Sequence, residues 1–245
     1  VTGSSDTRSV WGIATLNDEG ERVLLRDCLG GGGGGRRLID GSDALNGNVG
    51  GRNIPSEFVE ALYPVIIEQD SLAPDSGGAG LHRGGFGCER HIKFTAPGIL
   101  HVVDDRMQSQ PWGIQGGHAG GGAYYTLNPG AEGEITYDCK IDAAPIEAGD
   151  RLIAITPGGG GWGAAHEREA QVVADEVALG LVSAKSAERD YGVVLNDDGA
   201  LNEAATKIRR AELSKSAGDY LFDRGERFAV ALAAGDLTMT VSDRK

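Results

Sequence analysis

Six consecutive glycines, Gly30–Gly35, follow Cys28-Leu29, and a second run, Gly158–Gly161, stands directly before Trp162. Glycine forfeits more conformational entropy on folding than any other residue, so an ordered run needs close approach of its bare backbone to a ligand or another segment. The flanks point to order. Ser9–Leu16, the turn Asn17-Asp18-Glu19-Gly20 and Arg22–Leu29 read as strand, turn and strand ahead of the first run. Arg151–Thr156 is a strand with Ile153 and Ile155 at alternate positions, stopped by Pro157. Both runs therefore leave the ends of strands, whereas a linker would be flanked by polar, Ser- or Pro-rich sequence.

Across 245 residues there are 40 glycines, more than twice the usual share, and only 6% aromatics. Without a collagen period, that composition favours tight turns and packed loops over long helices. A formal charge of -13 argues against nucleic acid or an anionic membrane as partner, because both are bound through clustered Lys and Arg. Cys28, Cys88 and Cys139 are far apart and odd in number, giving neither a disulfide framework nor a zinc spacing, and read as buried thiols. No apolar stretch has the length of a membrane span and no basic-then-apolar leader opens the sequence, so a cytoplasmic protein is expected.

Along the chain, Asn46–Asn53 is a polar, turn-dense loop, and Ser56–Leu62 is a short helix with Ser56 as N-cap, ending at Pro64. Val65–Glu68, Cys88–Thr95, Ile99–Val103, Tyr124–Leu127 and Glu134–Ile141 read as strands, the second and third joined by a turn at Pro97-Gly98. From Glu167 the apolar period becomes helical: one helix through Val172 to Leu181, one opening at Ser183 and one from Asn202 to Ser216. The expected fold class is α+β. A β-rich, glycine-dense body covers about residues 1–165, and a helical segment, 166–245, packs on the same unit.

Residue chemistry narrows the site. No Gly-x-Ser-x-Gly elbow is present, and neither glycine run carries the Gly-Lys-Ser/Thr ending of a phosphate loop. His101 with Asp104 and Asp105 could offer mixed metal ligands, but a strand end followed by an acidic turn is common surface chemistry, and no metal is expected in this chain. The loop from Leu72 to Gly87 is the most unusual stretch. Its glycines leave Asp75, Ser76, His82 and Arg83 as the polar groups of one tight loop. Arg83 could serve a carboxylate or phosphate; an Asp75–Arg83 pair clamping the loop is the commoner kind of arrangement. Trp112 and Trp162 sit among glycines, where an indole packs well on bare backbone. His118 is a candidate proton donor or a hydrogen-bonded structural histidine.

In order along the chain, these pieces resemble the hydantoinase B/oxoprolinase family. They are the glycine run followed by Asp40-Gly41, Gly51–Pro55 leading to Glu60–Pro64, and Pro74–Gly80 with Arg83-Gly84-Gly85. Pro111-Trp112-Gly113, Gly116-Gly117, Gly149-Asp150, Thr156–Gly163, Gly180–Ser183 and Arg189–Leu195 continue the series. The resemblance implies a C-terminal half of a B-type subunit, working with a hydantoinase A-type ATPase subunit and a polypeptide that carries the N-terminal half. ATP and Mg would belong to the ATPase partner, and a metal ion to the complementary half. The implied reaction is opening of a cyclic amide of hydantoin, oxoproline or lactam type after phosphorylation. The alternatives are ATP-dependent ketone carboxylation with bicarbonate, or a non-catalytic scaffolding half-subunit. Asn53, Asp75, Ser76, Arg83 and His118 are the expected substrate-binding residues.

Overall fold

The computed structural model describes residues 2–5, 9–17, 19–45, 53–107, 109–137, 140–216 and 222–235. In chain order they form β1 (Ser9–Leu16), β2 (Arg22–Leu29), α1 (Ser56–Leu62), β3 (Val65–Leu72), β4 (Cys88–Phe94), β5 (Gly98–Val103), β6 (Gly113–Ile114), β7 (Tyr124–Leu127), β8 (Ile135–Tyr137), β9 (Lys140–Ile146) and β10 (Arg151–Ile155). Then come a 3-10 turn (Ala165–Glu167), α2 (Ala170–Ala178), α3 (Ala184–Tyr191), α4 (Glu203–Ser216), β11 (Phe222–Asp223) and α5 (Glu226–Ala234). The α+β class expected from the sequence holds.

One antiparallel sheet has the order β2-β1-β5-β9 and the other β3-β4-β10-β7-β8. Alternation puts Trp11, Ile13 and Leu25 of the first sheet against Ile92, Phe94, Tyr125 and Leu152 of the second, in one apolar core. The β1–β2 hairpin has the strand bounds read from the sequence. The turn at Pro97-Gly98 does not make a hairpin: β4 and β5 lie in different sheets, so it carries the chain across the sandwich. The apolar segment Glu134–Ile141 divides likewise into β8 and β9, one in each sheet; Cys139, like the loop residues Asn46–Arg52, lies outside the described residues. Ser56 is the first helical residue of α1 and not its cap, since the cap position falls on Pro55. Ser183 does cap α3, accepting the Ser186 N–H at 3.1 Å.

Three ionisable side chains, Arg90, Asp27 and Asp104, are buried inside the sandwich. Arg90 of β4, 1% exposed, reaches Asp27 of β2 at 2.6 Å and also Asp70 of β3, so one guanidinium ties the two sheets. Asp104, equally buried, accepts from the Tyr125 hydroxyl at 2.7 Å, and burial pushes its carboxyl above the usual range. A carboxyl raised by folding is destabilising once ionised, so this contribution worsens as pH rises from the ordinary Asp range through the folded value. Asp104→Asn is therefore expected to raise stability at neutral pH and to lose that advantage in acid, measured by urea unfolding at a series of pH values.

The glycine runs build a second core of another kind. Backbone N–H groups of 158–163 leave in three directions, each repeated every third residue, with distances between 2.8 and 3.1 Å. Gly158 and Gly161 donate to Gly121 and His118, Gly159 and Trp162 to Gly85 and His82, and Gly160 and Gly163 to Gly3 and Ile114. The first run continues the lattice: Gly32 and Gly35 donate to Pro157 and Gly160, and Gly33 to Ser42. Three residues per turn with hydrogen bonds only between segments is the signature of polyproline-II-like backbone. The two runs are thus neighbours although remote in sequence, the first donating its N–H groups to carbonyls at the second. Glycine is needed where a segment is enclosed on all three sides; a methyl on Gly159 would fall onto the Gly33 carbonyl oxygen.

The helices cover one flank of this bundle. Val173 of α2, Val182, and Ala187 and Tyr191 of α3 form an apolar cluster with Ala79 and Phe86 from the glycine loop.

Candidate functional site

The five residues singled out in the sequence divide into three situations. Asn53 is exposed just ahead of α1, and its neighbour Ile54 packs on the sandwich core, away from the glycine lattice. Ser76 and Arg83 are buried in the lattice. Asp75 and His118 project side chains at its edge, beside α3.

Ser76 is held by its hydroxyl, which donates to the Ala73 carbonyl at 2.6 Å and accepts the Gly87 N–H at 2.9 Å. Those bonds close the loop back on itself and occupy the group internally. The Asp75–Arg83 clamp does not form. Asp75, in the left-handed region at φ 58°, accepts the Ser183 N–H at 2.8 Å and donates its own N–H to Leu181, so it docks the glycine loop on the start of α3.

Arg83 instead grips residues far away in sequence. Nη1 and Nη2 reach both Asp43 oxygens at 2.7 and 3.2 Å, Nε reaches Glu176 of α2 at 2.7 Å, and the guanidinium stacks 4.1 Å from the Phe86 ring centre. Arg168 completes the network with two bonds of 2.8 Å to Asp40 and one of 3.0 Å to Glu176. Burial works to discharge both arginines, yet the paired carboxylates outweigh it and hold their acidity below that of a free guanidinium. Burial likewise opposes ionisation of Asp40, but Arg168 and Arg83 win and keep its carboxyl below the usual range. The network fastens the first glycine run and the glycine loop to α2.

At the lattice edge His118 is fixed through its main chain: its N–H donates to Ala79 at 2.7 Å and its carbonyl accepts from Gly161 at 2.8 Å. Its ring is about half exposed, with Nδ1 3.8 Å from Oδ1 of Asp190 on α3. Arg189 bonds both oxygens of Asp190, at 2.7 and 2.6 Å, and the charges of Asp75 and Glu226 bear on the same guanidinium. Next to His118, Asp223 accepts the Ala119 N–H at 2.9 Å. His118, Asp190, Arg189 and Asp75 thus form an accessible polar group on a rigid backbone. Asp190 and Arg189 carry no signal of this in the sequence, because they are an ordinary charged pair at a helix end until the fold brings His118 beside them.

The other histidines are placed differently. His82 lies 3.7 Å from Asp40 with its ring 6.1 Å from that of Trp162. His101 faces Asp142 at 3.6 Å while Asp104 points inward to Tyr125, so His101, Asp104 and Asp105 do not converge, and no metal-ligating group of three occurs among the described residues. Among those residues, no helix is long and apolar enough to cross a membrane.

Comparison with known proteins gives the fold its relatives. The family model for hydantoinase B/oxoprolinase matches residues 1–165. Caprolactamase subunit beta of Pseudomonas jessenii is 31% identical over 213 residues, covering 80% of this chain and 35% of that protein. The structure of the ATP-dependent caprolactamase from Pseudomonas jessenii superposes with a TM-score of 0.72 at 26% identity, over 86% of this chain and 38% of that one. A nucleotide-free acetone carboxylase structure has a TM-score of 0.73 at 22% identity, over 87% and 33%. The matched part of the chain therefore spans about a third of the length of these relatives.

Proposed function

Since the chain belongs to the hydantoinase B/oxoprolinase family, we propose that it is one part of a multi-subunit, ATP-dependent enzyme that opens cyclic amides. The carrying observation is the likeness to a caprolactamase beta subunit over four-fifths of the chain. Acetone carboxylase, at lower identity, supports the shared fold.

The chemistry explains why several polypeptides are needed. Amide resonance makes the ring carbonyl a poor electrophile, and phosphorylating its oxygen removes that protection. In this reading a hydantoinase A-type ATPase subunit holds ATP and Mg and transfers the phosphoryl group. A further polypeptide supplies the portion of the B-type subunit that this chain lacks, together with any metal ion. This chain contributes a rigid wall to the substrate passage, with His118 and Asp75 facing the small molecule and Ser76 and Arg83 supporting them from behind. Asn53 would meet substrate only through the complementary polypeptide. Positioning on stiff backbone is where such a wall adds rate.

The test is reconstitution of this chain with both partners, followed by phosphate release in the presence of ε-caprolactam, hydantoin or 5-oxoproline, and separately of acetone with bicarbonate. Phosphate release stimulated by a cyclic amide, with ring-opened product, is expected. Turnover confined to ketone and bicarbonate would assign the chain to a carboxylase. A complex that assembles and turns over equally well with His118 and Asp75 both replaced by alanine would make this part a scaffold.

A further inference from the structure

The pairing of His118 with Asp190 has a consequence for the ring-opening step, which rests on the cyclic-amide reading above. A histidine whose Nδ1 faces a carboxylate keeps its proton there and leaves Nε2 as the acceptor. Four features favour that arrangement. The His118 main chain is bonded on both sides to the glycine lattice, so the ring has a fixed origin. The Asp190 side chain is 16% exposed and anchored by Arg189, yet a carboxylate has further lone pairs for the imidazole. The 3.8 Å gap is in ion-pair range, and such contacts tighten when substrate binds. The ring itself remains open to solvent, unlike the buried groups of the arginine network.

The geometry points to His118 as the proton carrier of ring opening, with Asp190 as its positioning residue. The substrate arrives with its amide oxygen phosphorylated and its ring nitrogen protonated. A water oxygen bonds to the phosphorylated carbon, and one water proton passes to His118 Nε2. The carbon–nitrogen bond then breaks with its electron pair on nitrogen, which takes that proton from Nε2. The second water proton also reaches the nitrogen as the carbonyl re-forms. The products are an ammonium group and an acyl phosphate, which another water hydrolyses to carboxylate and phosphate. The charged groups around the pair are Arg189 of α3, Asp75 beside that helix, and Asp223 and Glu226 of the C-terminal segment.

In the reconstituted complex with ε-caprolactam, His118→Gln is expected to lower kcat by about 10²–10³-fold with little change in KM. His118→Ala should regain part of its activity with added imidazole, and Asp190→Asn should lose kcat by about tenfold or more at unchanged KM. A separate readout needs no activity: nitrogen-15 NMR of the full chain should show the His118 proton on Nδ1, moving to Nε2 in Asp190→Asn. A complex that opens lactam with His118→Gln at wild-type kcat overturns the proton carrier and leaves the cyclic-amide reading standing. An unchanged tautomer in Asp190→Asn overturns the pairing. A wild-type complex inert toward every cyclic amide but active on ketone with bicarbonate overturns both readings.

Discussion

Gly159→Ala is expected to unfold the protein or to cost it at least about 3 kcal/mol, because the added methyl has no space to enter. It would meet the Gly33 carbonyl oxygen, which already accepts the Gly85 N–H at 2.8 Å, and the contact is backbone on backbone. A flexible side chain could swing aside, but a main-chain segment bonded on three sides cannot. Gly130→Ala is the control. Gly130 has φ 73° and open space around it, so alanine there pays only the left-handed penalty of about 1–2 kcal/mol. Urea unfolding of the two variants separates the effects. A loss at Gly159 no larger than that at Gly130 would mean that the lattice opens to admit a methyl and that enclosure is not what it demands of its glycines.

Arg83→Met should be nearly as damaging, at about 3 kcal/mol, since it leaves the buried Glu176 with Arg168 alone and takes the bidentate partner from the part-exposed Asp43. Methionine keeps an unbranched apolar stem but neither the guanidinium that stacks on Phe86 nor any of the five N–H donors. Arg83→Lys is expected to recover only part of the loss, because a single ammonium cannot span both Asp43 oxygens and Glu176 together. The pH profile gives a second check. Asp40, with its carboxyl held below the ordinary range, contributes stability that is complete above that range and is lost as pH falls through its folded value. Arg83→Met should therefore retain most of this acid-sensitive step, because Arg168 supplies the larger part of the lowering and Arg83 the smaller. A stable Arg83→Met chain that fails only in turnover would return Arg83 to the substrate side.

Much of the sandwich was legible because strand signals are local. Alternation in Ser9–Leu16 and Arg22–Leu29, with a turn sequence between them, gives the hairpin its bounds, and Ser183 identifies the start of α3. Sheet membership was not legible. The chain crosses between sheets at Pro97-Gly98, and again between β8 and β9, where local propensity is the same whether the next strand pairs with the last or leaves it. The side-chain pairings around the glycine loop were not legible either. His118 and Asp75 lie together at the lattice edge beside α3, whereas proximity in sequence pairs Arg83 with Asp75 and its real partners lie 40 and 93 positions away.

The glycine runs show the division most clearly. Their length and their flanking strands established that bare backbone must approach something closely, because ordering so many glycines without compensation is too costly. The identity of the neighbour depended on the three-residue turn of extended backbone. That turn aims successive N–H groups at three different segments, and only the tertiary arrangement brings 2–5, 30–35, 76–87, 111–122 and 157–163 together. Composition therefore determined that the chain would be held by its main chain as much as by its side chains. Which main chain holds which, and that the same lattice fixes His118 beside Asp190, was decided by contacts between segments remote in sequence.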